Sequence, residues 1–143
     1  MKYILDTCVV SDLISKKPNS NVINWIVGND PDFLFLSAIT IGEIQRGISK
    51  STNAAKAIKL QEWLDDDLLV KFNHRILPIN SEVMIGWGKL YSGLEKIGIT
   101  VSVMDSLIGA TAIHYNCKLV TRNTSDFLSL GIEVVNPWME IRI

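Results

Sequence analysis

Asp6, Glu43, Asp105 and Asp126 are the residues whose type and placement could carry chemistry in this 143-residue chain. Two carboxylates about 4 Å apart repel by roughly 4 kcal/mol at an effective dielectric near 20, so a cluster of them needs a proton or a cation. A divalent cation resolves the repulsion. An oxygen-only donor set without His or Cys suits Mg²⁺, or Mn²⁺, rather than Zn²⁺. Such an ion activates water and neutralises the charge that builds on a phosphoryl group during in-line displacement. Taken singly, Asp6, Asp105 and Asp126 also fit helix caps or turn residues, and Glu43 a solvated surface glutamate. Their apolar settings favour a site: Ile4-Leu5 precede Asp6, Ile41 and Ile44 flank Glu43, and Leu107-Ile108 follow Asp105. A charge placed among core residues usually has a partner.

The elements that must position these carboxylates follow from apolar periodicity. Tyr3-Ile4-Leu5 reads as a strand ending at Asp6-Thr7, with a helical turn or two over Val9 to Ile14. Asn19 or Ser20 caps a short helix through Trp25 and Ile26 that closes near Gly28, and Asn29-Asp30-Pro31 makes a turn. Phe33 to Leu36 reads as a buried second strand. Helical spacing from Ile41 through Ile44 and Ile48 places Glu43 on a helix, and Gly47 signals close packing or an approaching end. Ala54 to about Leu69 is a strong helix former whose run Asp65-Asp66-Asp67 reads as a solvated face. Ile76 to Ile79 is extended, Asn80 caps a long helix that Gly98 ends, and Asp105 opens another helix. Cys117 to Val120 and Ile132 to Val135 are the last strands.

Strands interleaved with helices predict an α/β fold with a mostly parallel sheet covered on both faces. In such sheets ligands bind in the crevice beyond the carboxyl ends of the strands. Asp6, Asp105 and Asp126 fall there, and Glu43 follows the second strand closely enough to reach the same end.

Composition bounds the function classes. The chain is 48% hydrophobic and 20% charged, which predicts one folded domain over residues 1–143 with a single core rather than disorder. Its net charge of −1 excludes a protein that coats nucleic acid through bulk positive charge and leaves room only for a local groove. Apolar runs are far shorter than the roughly 20 residues a membrane span needs. The start Met1-Lys2-Tyr3-Ile4-Leu5 reaches an aspartate at once, without the pattern of a secretory signal, so the expectation is a cytoplasmic protein. Cys8 and Cys117 have no CxxC spacing and read as reduced, buried residues.

Five segments in order also carry a family resemblance: Leu5-Asp6-Thr7; Ile41 to Ile44 with Gly47-Ile48; Met104 to Ala112; Thr121-Arg122-Asn123 with Asp126-Phe127; and Asn136-Pro137-Trp138. Together they resemble the PIN-domain proteins, nearest the VapC toxins and their FitB-like subgroup, over residues 3 to 138. The resemblance implies a Rossmann-like PIN fold, a three-layer sandwich in which helices cover the central sheet. It also implies a Mg²⁺ or Mn²⁺ site, endoribonuclease activity as the toxin of a toxin–antitoxin pair, a homodimer and a VapB-type antitoxin. By position, Asp6, Glu43, Asp105 and Asp126 are the acidic site residues; Asp6 and Asp105 are assigned to the metal, and Glu43 and Asp126 to completing the shell and orienting water. Cys8 departs from the asparagine that family members often carry after the Asp-Thr pair, replacing an amide with a weak donor.

Thr7, Arg46, Arg122 and Asn123 flank the carboxylates and are assigned to substrate binding. Arg122 suits phosphate through its planar guanidinium, or else pairs with a surface carboxylate. Arg46, three residues after Glu43, suits phosphate or an ion pair with Glu43, with the pair favoured. His74 and His114 lack metal-ligand spacing, and the four tryptophans are assigned to core packing or a dimer face. Two rival functions stay open at this level. One is a catalytically silent PIN-like module whose acidic pocket receives a basic peptide; the other is a metal-dependent nuclease acting on DNA, because only the resemblance selects RNA.

Overall fold

The structure is a computed structural model that describes residues 1–139. Five short strands, β1 (Tyr3–Leu5), β2 (Leu34–Ser37), β3 (Ile76–Leu77), β4 (Lys118–Val120) and β5 (Val134–Val135), form one sheet in the order β3-β2-β1-β4-β5, every pair parallel. The helices between them are α1 (Thr7–Leu13), α2 (Ser20–Val27), α3 (Ala38–Ser49), α4 (Ala54–Trp63), α5 (Leu69–Lys71), α6 (Ser81–Lys96), α7 (Val103–His114) and α8 (Thr124–Leu128). The expected α/β sandwich is present, with a sheet that is wholly rather than mostly parallel.

Register explains the two-faced burial. Ile4 pairs with Leu119 and Leu5 with Val120. Because alternate residues point to opposite faces, Ile4 and Leu119 join a core with Ile108, Ala112 and Phe127 on one side. Leu5 and Val120 join Val9, Val22, Leu36 and Leu64 on the other. The single core expected from length is therefore two half-cores divided by the sheet.

Several boundaries move for local reasons. Phe33 lies outside the second strand because Pro31–Phe33 forms a 3₁₀ turn, capped by the Asp30 side chain accepting from the Asp32 amide. β3 stops at Leu77, since Pro78 has no amide to extend the ladder. The helix carrying Glu43 begins at Ala38, where the Ser37 hydroxyl accepts from the Ile39 amide at 3.1 Å. Gly47 meets no neighbour that a Cβ would touch, so it marks the approaching end and not a close contact. The acidic run 65–67 is exposed as expected, on a π-helical segment, Leu64–Leu68, that joins α4 to α5. Asn80 and Gly98 bound α6 as expected.

Two differences bear on the site. Asp105 does not open α7: Ser102 is the cap, and its hydroxyl accepts from the Asp105 amide at 3.1 Å. The short helix α8, which carries Asp126, has no counterpart in the sequence reading. It is docked on α7 where Gly109 leaves room, since a Cβ at Gly109 would overlap Leu130 Cδ1, and Leu130 is only 5% exposed. Overpacking of this kind costs about 1 to 3 kcal/mol, against about 1 kcal/mol gained from replacing a mid-helix glycine. Gly109→Ala is therefore expected to lower the thermal midpoint. A midpoint equal to or above the parent's would show that α8 yields freely.

Candidate active site

In the order β3-β2-β1-β4-β5 the chain winds outward from β1 in one direction and later resumes on its other side at β4. The crevice beyond the carboxyl ends of β1 and β4 is thus the topological switch point, where ligands bind in open parallel sheets. Asp6 directly follows β1, and Thr121 directly follows β4. Their side chains meet there: Thr121 Oγ1 donates to Asp6 Oδ2 at 2.7 Å. Asp6 Oδ1 accepts from the Thr7 amide at 2.8 Å, which caps α1. The Asp6 side chain is held at both ends, and the residue is only 4% exposed.

Glu43 reaches this floor from α3 through a second threonine. Thr7 Oγ1 donates to Glu43 Oε1 at 2.7 Å and lies 3.2 Å from Thr40 Oγ1. One residue, Thr7, thereby ties both carboxylates, through its amide to Asp6 and through its hydroxyl to Glu43. The expected ion pair between Glu43 and Arg46 does not form: Glu43 Oε1 accepts from Thr7 instead, and Arg46 is exposed and has no ion pair among the described residues. Thr7 itself has its hydroxyl proton engaged by Glu43, which makes it a positioning residue rather than a free donor to substrate.

Asp105 and Asp126 line a cleft of about 510 Å³ with Val101, Ser102, Ser125 and Ser129. The Asp105 carboxyl is pushed above the usual aspartate range, first by burial and then by the charges of Asp6 and Asp126, while the hydrogen bond with Ser102 opposes the rise. The charges of Asp6 and Asp126 therefore act on Asp105, whereas Glu43 is tied to Thr7 and lines a separate cleft with Ile44, Gly47, Leu60 and Trp63. Among the described residues no three His, Cys, Asp or Glu side chains close into a ready-made metal cage. An open, all-oxygen set of this kind fits Mg²⁺, which usually keeps several waters and takes one or two carboxylates.

Cys8 lies against the same floor, its Sγ 3.7 Å from Asp6 Oδ2 and 3.5 Å from Thr121 Oγ1. Burial raises its pKa, and Asp6 adds to the rise while the Arg122 amide and Thr121 oppose it, so the group is a neutral thiol. It is a weak donor in contact with Asp6 and not a nucleophile. Both cysteines are free as expected, but only Cys117 is fully buried; Cys8 is half-buried.

Asn123 is exposed at the start of α8, and its amide donates to Thr121 Oγ1 at 3.1 Å. Arg122 is exposed too, and its Cζ lies 4.3 Å from the centre of the Trp138 ring. Trp25 and Trp87 have packing roles as expected: Trp25 meets Tyr3 edge to face, and Trp87 stacks on Tyr91 and donates to Ser106 Oγ at 2.8 Å. Thr40, Ser102 and Thr121 are the polar residues of the site that the sequence reading gave no role. The Ser102-x-x-Asp105 spacing is a capping signature that marks Ser102. A threonine directly after a strand gives a weaker signal, and nothing local marks Thr40.

The model of the PIN domain matches residues 3–132. The chain is 32% identical to Toxin FitB of Neisseria gonorrhoeae over 94% of this chain and 97% of that protein. It is 30% identical to VapC ribonuclease Y4jK of Sinorhizobium fredii, over 94% and 96% of the two chains. Among solved structures, a chain in the crystal structure of FitAcB from Neisseria gonorrhoeae superposes with a TM-score of 0.90 at 32% identity, covering 95% of this chain and 98% of that one.

Proposed function

The chain belongs to the PIN-domain family, and from that premise we propose that it is a VapC-type toxin, an endoribonuclease that cleaves RNA at the crevice beyond β1 and β4. One observation carries the reading: Asp6 stands directly after β1 at the sheet's switch point, with Asp105 and Asp126 lining one cleft close enough for their charges to act on one another. Uncompensated negative charge of this sort is unfavourable for a fold and serves a cation-assisted reaction on a phosphodiester. Mg²⁺ or Mn²⁺, when bound, would supply an activated water and neutralise charge on the phosphoryl group.

Asp6 and Asp105 are assigned to holding the metal. Asp6 is fixed by Thr7 and Thr121, so its free lone pairs point in a set direction. Glu43, fixed by Thr7, and Asp126, brought in by α8, complete the acidic wall and accept hydrogen bonds from water. Arg46, Arg122 and Asn123 stand exposed around it and offer donors to the RNA backbone.

Relatives solved as toxin–antitoxin complexes support a cognate VapB-type antitoxin as partner, and a homodimer is part of the same proposal. An apolar groove of about 450 Å³, lined by Leu13, Ile14, Ile26, Trp63, Leu68 and Phe72, suits an apolar helical segment of that antitoxin. Among the described residues no helix is long and apolar enough to cross a membrane, and a cytoplasmic protein is the reading that fits the proposed action on RNA.

The test is cleavage of single-stranded RNA and of matched DNA by the purified chain with Mg²⁺, with Mn²⁺ and in excess chelator. RNA is expected to be cut with either metal, DNA left intact, and all cleavage lost on chelation. Undiminished cleavage in chelator overturns the metal assignment, and preference for DNA overturns the substrate. Binding of basic peptides without cleavage under any metal would make the chain a silent module.

A further inference from the structure

We propose that Arg122, laid against the indole of Trp138, is a phosphate-binding residue for the RNA strand, and that Trp138 is the residue that positions it. The inference rests on the RNA-cleaving reading above and concerns how a chain with a net charge of −1 holds a polyanion beside four carboxylates. No bulk positive field is available, so attraction must come from a few fixed cations near the site.

Three other cations are committed elsewhere, while Arg46 on α3 stands exposed without an ion pair among the described residues. Lys71 pairs with Asp67 and Lys118 with Glu133. Arg75 donates to the carbonyls of Pro31, Leu34 and Lys71. Arg122 differs in both place and partner. It directly follows Thr121, whose hydroxyl donates to Asp6, and its own amide acts on the Cys8 thiol beside Asp6. Its guanidinium takes no ion-pair partner among the described residues and lies over the Trp138 ring at 4.3 Å.

The platform is itself anchored. The Trp138 amide donates to Asn136 Oδ1 at 3.0 Å, and its carbonyl accepts from Asn21 Nδ2 at 2.9 Å. Pro137 beside it is buried, and the indole packs on the Leu5–Val120 side of the core. A guanidinium against an aromatic ring keeps its charge and much of its N–H edge for another acceptor, and a planar fork matches phosphate oxygens bidentately. Holding the side chain in advance also reduces the entropy lost on binding. The Asn136-Pro137-Trp138 segment thus serves the site, although it lies beyond the last of the acidic residues, Asp126, in sequence.

The test is binding of a single-stranded RNA oligonucleotide to the full chain in chelator, followed by fluorescence anisotropy over a series of salt concentrations, with a thermal melt of each variant. Arg122→Ala is expected to weaken binding about tenfold. It should also reduce the slope of log Kd against log salt by about 0.7, the value of one phosphate contact on a single strand. Arg122→Lys should keep the slope and lose part of the affinity, because charge is retained without the planar fork. Trp138→Leu should weaken binding in the parent but not in Arg122→Ala, and Trp138→Phe, which keeps a ring, should stay near the parent. Lys118→Ala, at the opposite edge of β4, should leave the slope unchanged.

An unchanged slope in Arg122→Ala overturns the proposal; a lowered melting midpoint beside that unchanged slope would show that the stack only fastens the C-terminal segment. A parent chain that cuts RNA while Arg122→Ala binds normally sinks this inference alone. A parent that neither binds nor cuts RNA sinks the functional reading with it.

Discussion

Asp6→Asn is expected to lower RNA cleavage by on the order of a thousandfold while leaving the fold in place, the scale of loss when one preorganised electrostatic group is removed from an active site. The asparagine carbonyl can still accept from the Thr7 amide, and asparagine caps a helix about as well as aspartate, so α1 keeps its start. The new amide can donate to Thr121 Oγ1 once that hydroxyl turns, which avoids a buried orphan beside a residue that is 0% exposed. Only the charge is lost. Asp6→Ala differs, because it removes the cap at about 1 kcal/mol and leaves the buried Thr121 hydroxyl without its acceptor at about 1 to 3 kcal/mol. Both variants should therefore be inactive, but only the alanine should melt clearly lower. The assay is initial cleavage rate at saturating Mg²⁺ beside a circular-dichroism melt. If Asp6→Asn cleaves within tenfold of the parent, Asp6 is a helix cap and the centre of the reaction lies elsewhere.

That contrast depends on what the sequence makes legible. Strand-ending aspartates are visible because an apolar run stops at them, which is why Asp6 and the sheet's parallel order can be read directly. The acidic wall is legible as residue types, but its wiring is not. Thr7 and Glu43 are 36 residues apart, Thr121 and Asp6 are 115 apart, and such pairs meet only when the strands order themselves around β1. Arg46 misleads for the same reason: on an isolated helix it is the nearest partner for Glu43, yet a threonine from another element takes the contact. Helix α8 is hidden because five residues are too few to show a period. Its place is set by tertiary contact, through Phe127 in the core and the room that Gly109 leaves for Leu130. Trp138 is legible as an apolar residue near the end of the chain, but its stack with Arg122 depends on β5 lying beside β4.

Asp105→Asn is expected to stabilise the metal-free protein and to remove most of its response to Mg²⁺, two effects of opposite sign from one substitution. The Asp105 carboxyl is raised above the ordinary aspartate value by burial and by Asp6 and Asp126. Between that ordinary value and the raised one, the folded state holds a proton that the unfolded state has lost. Stability must therefore fall as pH rises through this window, and at neutral pH the full penalty is present. Asparagine carries no such penalty, so its metal-free thermal midpoint should lie a few degrees above the parent's at neutral pH, with the difference shrinking as pH drops below the window. Asp105 is only half-buried, which limits the gain. The alternative of a purely structural aspartate predicts the other sign. Ser102 caps α7 and Asp105 sits in its first turn, so removing the charge would then forfeit a favourable helix-dipole interaction of about 0.3 to 1 kcal/mol. With Mg²⁺ added, a ligand that binds only the folded state stabilises by about 2.7 kcal/mol at a hundredfold excess over its Kd, and the parent should gain accordingly. The variant, lacking an assigned ligand, should gain little and cleave RNA poorly. Melts of both proteins across pH, with and without Mg²⁺, decide between the accounts: a variant that melts lower than the parent without metal and responds to Mg²⁺ like the parent would remove Asp105 from the site.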